Sequence, residues 1–214
     1  FEFSAGLVTA TYSMYPSWGD RVRGGTSVAF NITFDQDMMQ SGDMVLCFGT
    51  SSPYTDYEND TNAATWWVSA TVWNGTASIP NVEGEYGAVL KSARNSTGTY
   101  VLLEELFTFF VDTTRPQLLS AECTNNYTIK TTFNEELDRN SVDTTDFSVE
   151  WKGVQYTVDS ISWDAGDDCP ILTLTDPMPL TNATPWVNLT GVVLDLVGNT
   201  NASTGNSVVA SDGT

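Results

Sequence analysis

Residues 107–123 read Phe107-Thr-Phe-Phe-Val-Asp-Thr-Thr-Arg-Pro-Gln-Leu-Leu-Ser-Ala-Glu-Cys123. A dense apolar run stops at Asp112, two threonines and Arg115-Pro116 follow, and a second apolar run opens at Leu118. Proline fixes its own φ and biases Arg115 toward an extended shape, so the stretch reads as strand, short joint, strand. Whether that joint lies inside one domain or between two depends on whether its flanks resemble each other.

They do. Ile32-Thr-Phe-Asp-Gln-Asp-Met38 superposes on Thr131-Thr-Phe-Asn-Glu-Glu-Leu137 at an offset of 99. Tyr86-Gly-Ala-Val-Leu90 falls on Trp186-Val-Asn-Leu-Thr190 at an offset of 100, with Gly98 on Gly198. Leu7-Val-Thr-Ala10 falls on Leu118-Leu-Ser-Ala121 at 111. Three matches in one order predict a duplicated unit of roughly 100 residues, the size of an immunoglobulin-like sandwich. The expected architecture is therefore all-β: two tandem Ig-like β-sandwiches, 1–112 and 113–214, with 1–6 as an N-terminal overhang.

Local patterns agree. In Val28-Ala-Phe-Asn-Ile-Thr-Phe34, the residues Val28, Phe30, Ile32 and Phe34 share one face, which leaves Asn31 and Thr33 to water. Ile171-Leu-Thr-Leu-Thr175 turns Leu172 and Leu174 inward. Asn74-Gly75, between Trp66–Trp73 and Thr76–Ile79, predicts a two-residue hairpin turn, since both positions tolerate positive φ. Adjacent Trp66 and Trp67 face opposite sides of their strand. Alternation puts Val187 and Leu189 in the core and Trp186 outside beside Asn188.

Composition narrows the chemistry. The 214 residues carry 8 Lys+Arg against 27 Asp+Glu, a formal charge of -19. Such a surface repels nucleic acid and anionic membrane. No apolar run is long enough for a spanning helix. Phe1-Glu-Phe3 lacks the basic start of an export signal, so the chain is expected to be a processed, mature segment. The sequence has no His, which removes the commonest general base and His-ligated zinc. Three cysteines cannot build a four-cysteine zinc site, and no phosphate-binding glycine loop occurs. The expectation is a protein that is not an enzyme and requires no cofactor.

What the chain has instead is Asn-x-Ser/Thr. The acceptor sites are Asn31, Asn59, Asn74, Asn95, Asn126, Asn182, Asn188 and Asn201, seven of them with Thr, and Pro185 follows directly on the Asn182 triplet. Chance would give about three to four. The excess predicts covalent N-glycans and an extracellular or cell-surface location. In that compartment a disulfide between Cys123 and Cys169 is expected, with Cys47 as a buried small hydrophobe. Acidic loops offer hard oxygen ligands, and calcium is the cation they suit: Asp164, Asp167 and Asp168 first, then Asp112 at the joint.

The second half also resembles the Ig-like domains of bacterial and archaeal surface-layer proteins and adhesins. The carrying residues are Phe133-Asn-Glu135, Asp146-Phe-Ser-Val149, Leu172-Thr-Leu174, Trp186 to Leu189 and Asp195-Leu-Val-Gly-Asn199. The likeness spans 116–210 well and 7–112 loosely. The first half has Ser92-Ala-Arg-Asn-Ser-Thr-Gly98 in place of the Asp-x-x-Gly-Asn ending. The resemblance implies structural, adhesive or spacer roles.

At the N-terminus, Phe1, Phe3, Ala5 and Leu7 alternate as a strand does, with no partner in their own repeat. An apolar strand of this kind suits addition to the sheet edge of another copy, and repetition of one such heterologous contact builds a filament. The leading expectation is a head-to-tail homopolymer, a filament or surface layer. The alternative is an adhesin or carbohydrate-binding module of a larger surface protein.

Overall fold

A computed structural model describes residues 9–40, 45–50, 57–58, 66–91, 93–99, 107–164, 169–179 and 182–213, with backbone only at 45, 57, 58, 66 and 91. The overhang residues Phe1, Phe3, Ala5 and Leu7, together with Asn59, Asp167 and Asp168, lie outside these. The chain divides into two compact units, Phe1–Thr113 and Thr114–Thr214. The regular structure of the described residues is almost entirely strand.

In the first unit the strands are β1 (Ala10–Tyr15), β2 (Arg21–Arg23), β3 (Ser27–Phe34), β4 (Val45–Gly49), β5 (Tyr57–Glu58), β6 (Trp66–Trp67), β7 (Val72–Ser78), β8 (Gly84–Lys91) and β9 (Phe107–Asp112). They form two sheets, β1-β3-β7-β6 and β2-β9-β8-β4-β5. Strict alternation in β3 buries Val28, Phe30, Ile32 and Phe34. Facing strands of the second sheet bring Phe48, Tyr86, Phe107 and Phe109, so the core is aromatic. Phe48 and Phe109 meet edge to face at 5.5 Å, and Tyr12 stacks on Phe107 at 3.8 Å. Trp67 is the inward member of its pair, packed on Phe34.

The second unit comprises β10 (Leu118–Cys123), β11 (Thr128–Phe133), β12 (Phe147–Trp151), β13 (Val154–Tyr156), β14 (Val158–Trp163), β15 (Pro170–Leu174), β16 (Trp186–Leu189), β17 (Ser207–Val209) and β18 (Ser211–Asp212). Its sheets are β14-β15-β11-β10-β18 and β13-β12-β16-β17. The core is mainly aliphatic, from Leu118, Ile129, Leu137, Leu172, Leu174 and Met178. Two single-turn 3-10 helices, Arg139–Ser141 and Thr144–Asp146, precede β12. Asp143 caps the second, accepting from Thr145 N while Asp146 reaches back to the Asp143 N–H.

Three sequence expectations need correction. Asn74-Gly75 is not a turn but the centre of β7, where Asn74 pairs with Asn31 and Gly75 with Phe30. Eight residues of β3 demand a long partner, and Gly75 is there for space: a Cβ would stand 2.2 Å from Trp73 Cη2. The chain instead reverses over 68–71.

The second correction concerns the first strand. β1 pairs Ala10 with Phe34, and β10 pairs Leu118 with Phe133. Since Phe34 and Phe133 superpose, Ala10 rather than Leu7 corresponds to Leu118. Similarly Tyr86 is fully buried while Trp186 is 52% exposed, so the superposition at 100 is one residue out in that strand. Ala88 and Leu90 correspond instead to Val187 and Leu189, all four inward.

The third is the disulfide. None of the three cysteines is bridged. Cys123 lies on β10 and Cys169 immediately precedes β15, with β11 paired between those two strands. Two inter-strand steps of about 4.8 Å already exceed the roughly 7 Å between Cα atoms that a disulfide spans. Burial pushes the Cys123 thiol up to about 11, helped by nearby Asp212 and Glu122. It therefore stays protonated and inert.

Candidate functional site: sheet edges, loop clasps and glycan acceptors

The repeat becomes concrete where the two superposed signatures meet. Met38 forms an isolated bridge with Asn95, and Leu137 forms one with Asp195. Asn95 Oδ1 accepts from Thr97 N at 3.2 Å, Thr99 N at 3.0 Å and Thr97 Oγ1 at 2.7 Å. Asp195 Oδ1 accepts from Val197 N at 2.9 Å and Asn199 N at 2.7 Å. Gly98 and Gly198 hold φ of 83° and 92°, the left-handed turn that closes each clasp. The Asn-Ser-Thr-Gly of the first unit is thus the same device as the Asp-x-x-Gly-Asn of the second. They differ in that Asn95 Oδ1 also takes the Thr97 hydroxyl, whereas buried Asp195 also takes Asn199 Nδ2 on Oδ2 at 2.8 Å.

Of the acidic residues named for calcium, the two described, Asp164 and Asp112, are each held by a cation of their own unit. Asp164 is ion-paired with Lys130, whose ammonium this hydrogen bond and charge hold above its ordinary pKa. Asp112, nearly buried on β9, pairs with Arg21 on β2 at 3.1 Å. Within the second unit, Glu135 and Asp195 place carboxylate oxygens within 4.8 Å of one another. Glu135 belongs to the acidic pair beside Phe133, but only the bridge of Leu137 to Asp195 brings it opposite the clasp.

The acceptor asparagines are not equivalent. Asn182 is exposed. Asn126, Asn188, Asn95 and Asn201 are half-buried. Asn201 is tied at both ends of its amide: Oδ1 accepts from Val193 N at 3.2 Å, and Nδ2 donates to Gly191 O at 3.3 Å. Asn188 Oδ1 accepts from Ser207 Oγ on the neighbouring strand. Asn31 and Asn74 stand directly opposite on β3 and β7, with Asn31 Nδ2 donating to Asn74 Oδ1 at 2.6 Å. Trp186 stands outward on β16 between Glu150 and Val209 of the adjoining strands.

The sheet edges differ between the units. In the second, the outer edge of β10 is covered by β18 in parallel, pairing Glu122 with Ser211 and Cys123 with Asp212. In the first, the corresponding β1 has no partner on its outer side among the described residues. All six β1 residues pair in regular register with β3, and none is charged. The other described edge strands are two or three residues long, except β14. β14 carries a register shift between Val158 and Ser160, with Asp159 between them. Short length, bulges and charge are the usual guards of an edge, and β1 has none of them.

No protein family's sequence profile matches the chain, and no curated protein matches it. Among solved structures, the chain is similar to the N-terminal part of the bacterial S-layer protein SbsC, at 19% identity and a TM-score of 0.41. That match covers 46% of this chain and 24% of the other, so the chain spans about a quarter of that structure. It is also similar to FdeC, an adhesin of Escherichia coli, at 12% identity over 94% of this chain and 64% of that one, with a TM-score of 0.43. A third is the adhesin InvE of Yersinia pseudotuberculosis, at 11% identity over 99% and 61%, with a TM-score of 0.32.

Proposed function

We propose that the protein is a non-enzymatic, N-glycosylated structural subunit of the cell exterior. It assembles head to tail by adding a strand from one copy to a sheet edge of the next. The observation that carries this reading is the edge of β1, which has no outer partner among the described residues. A regular, uncharged, six-residue edge presents a row of N–H and C=O groups that another chain can pair with. In the second unit the corresponding edge is already covered by β18. The donor is the alternating Phe1, Phe3, Ala5 and Leu7 segment of another copy. The contact joins two unlike segments, a donor strand and an acceptor edge, and repetition of such a heterologous contact from copy to copy builds an open assembly. The absence of His and the glycan acceptor sites support the non-catalytic, exported part of the proposal.

Thr11 and Ser13 point outward from β1, so Thr11→Lys with Ser13→Lys guards the edge without entering the core. Electron microscopy and sedimentation of native protein should show filaments or sheets. The double variant, and a deletion of residues 1–6, should stay monomeric with an unchanged melting temperature. Polymers from both variants, or a monodisperse native monomer, sink the proposal. Exposed Trp186 beside Glu150 favours one second reading, a carbohydrate-binding face. A glycan-array signal abolished by Trp186→Ala would support it.

A further inference from the structure

Asn31 and Asn74 are separated by 43 residues in sequence and read as two independent acceptors, yet the fold makes them one cross-strand pair on the outer face of β3 and β7. We infer that this pair is a single glycan acceptor, occupied at Asn74 and not at Asn31. The inference rests on the glycosylation reading above.

The first argument is chemical. A glycan is joined through Nδ2; Asn31 Nδ2 donates one of its two hydrogens to Asn74 Oδ1 at 2.6 Å, which turns that nitrogen toward the opposite strand, while Asn74 uses its oxygen and its Nδ2 makes no hydrogen bond among the described residues. In the transfer, a bond forms between Asn74 Nδ2 and C1 of the first sugar. The bond from C1 to the phosphate of an oligosaccharyl-phosphate donor breaks, and the departing phosphate and the Nδ2 proton leave together. The donor is of the class any N-glycosylating cell supplies. Asn74 Oδ1 is not consumed, so Asn31 still donates to it.

The second argument is access. β3 is paired on both sides along its length, and Thr33 of the Asn31 triplet faces Thr11 and Val72. Among the described residues β7 is covered on its far side only by the two residues of β6, which pair with Trp73 and Asn74. Thr33 and Thr76 are both exposed, but Thr33 stands between two paired strands while Thr76 lies past the described end of the β6 edge.

The third is space. Directly opposed side chains root about 5 Å apart, too close for two branched sugar chains to leave the sheet side by side. Both asparagines line a shallow groove of about 230 Å3 with Ser13, Tyr15, Ala29 and Thr76. That is less than the roughly 300–1,000 Å3 that holds a drug-sized ligand, and it suits one sugar ring against the exposed Tyr15 ring.

The test is intact-mass counting of glycans, with peptide mapping, on protein from a glycosylating host. Thr33→Ala and Thr76→Ala remove each acceptor triplet while keeping both amides, and circular dichroism checks that they fold. Thr33→Ala should leave the glycan count unchanged, and Thr76→Ala should lower it by one. A glycan lost with Thr33→Ala, or one molecule carrying glycans at both positions, overturns the inference. Glycans at other sites with both positions bare also overturn it. A chain bare at every acceptor site defeats the glycosylation reading itself.

Discussion

Gly75 illustrates how one residue is read differently in one and three dimensions. Beside Asn74 it signals a turn; in the fold it is the floor on which the Trp73 indole lies. Gly75→Ala would force that ring to shift against Phe30 and its neighbours, an overpacking cost of about 1–3 kcal/mol. Thermal unfolding should report a lower melting temperature, and an unchanged one would mean the ring moves freely. The clasps make a second residue-scale prediction. Asp195→Asn keeps the shape but sets an NH2 against either the backbone donors or Asn199 Nδ2, so a buried donor loses its acceptor at about 1–3 kcal/mol. Asn95→Asp should be near neutral, because all three donors there converge on one oxygen. Denaturant titration of both variants distinguishes them. Equal losses would mean that the Asn199 bond to Asp195 Oδ2 is not what sets the two clasps apart.

Among elements, alternating strands were legible because period two maps directly onto a half-buried sheet: β3 and β15 carry the inward sets their sequences predict. Pairing was not legible. β2, β5 and β6 are too short to leave a pattern, and the two 3-10 turns are set by side-chain caps. The strand ends carry a pH dependence. Thr9 donates to Asp35 at 2.6 Å across the start of β1 and the end of β3 and holds that carboxyl below its ordinary pKa. The Thr145 and Thr144 donors do the same for Asp143. A depressed carboxyl stabilises the fold above its unfolded pKa, about 4, and loses that contribution as pH falls through the lower folded value. Urea unfolding should show stability flat from neutral pH to about 5 and declining below 4. Asp143→Asn should flatten the decline, and no change in it would remove the cap from the account.

At the scale of the whole molecule, the charge of -19 makes divalent cations the natural partners of a surface with few basic residues. The carboxylates of Glu135 and Asp195 repel within 4.8 Å, and a calcium ion would relieve them. Millimolar calcium should therefore raise the melting temperature more than sodium chloride of equal ionic strength, and Glu135→Gln should erase the difference. Equal effects of the two salts would leave the acids as solvated surface. The amino-acid sequence alone determined the all-β class and the inward residues of β3 and β15, because alternation is a local property of the chain. Only the tertiary structure decided that Asn31 opposes Asn74, that Cys123 and Cys169 stand strands apart and that β1 is an edge without an outer partner among the described residues. Those are facts of strand order and register, set by which apolar faces bury each other across tens of residues, and no local pattern encodes them.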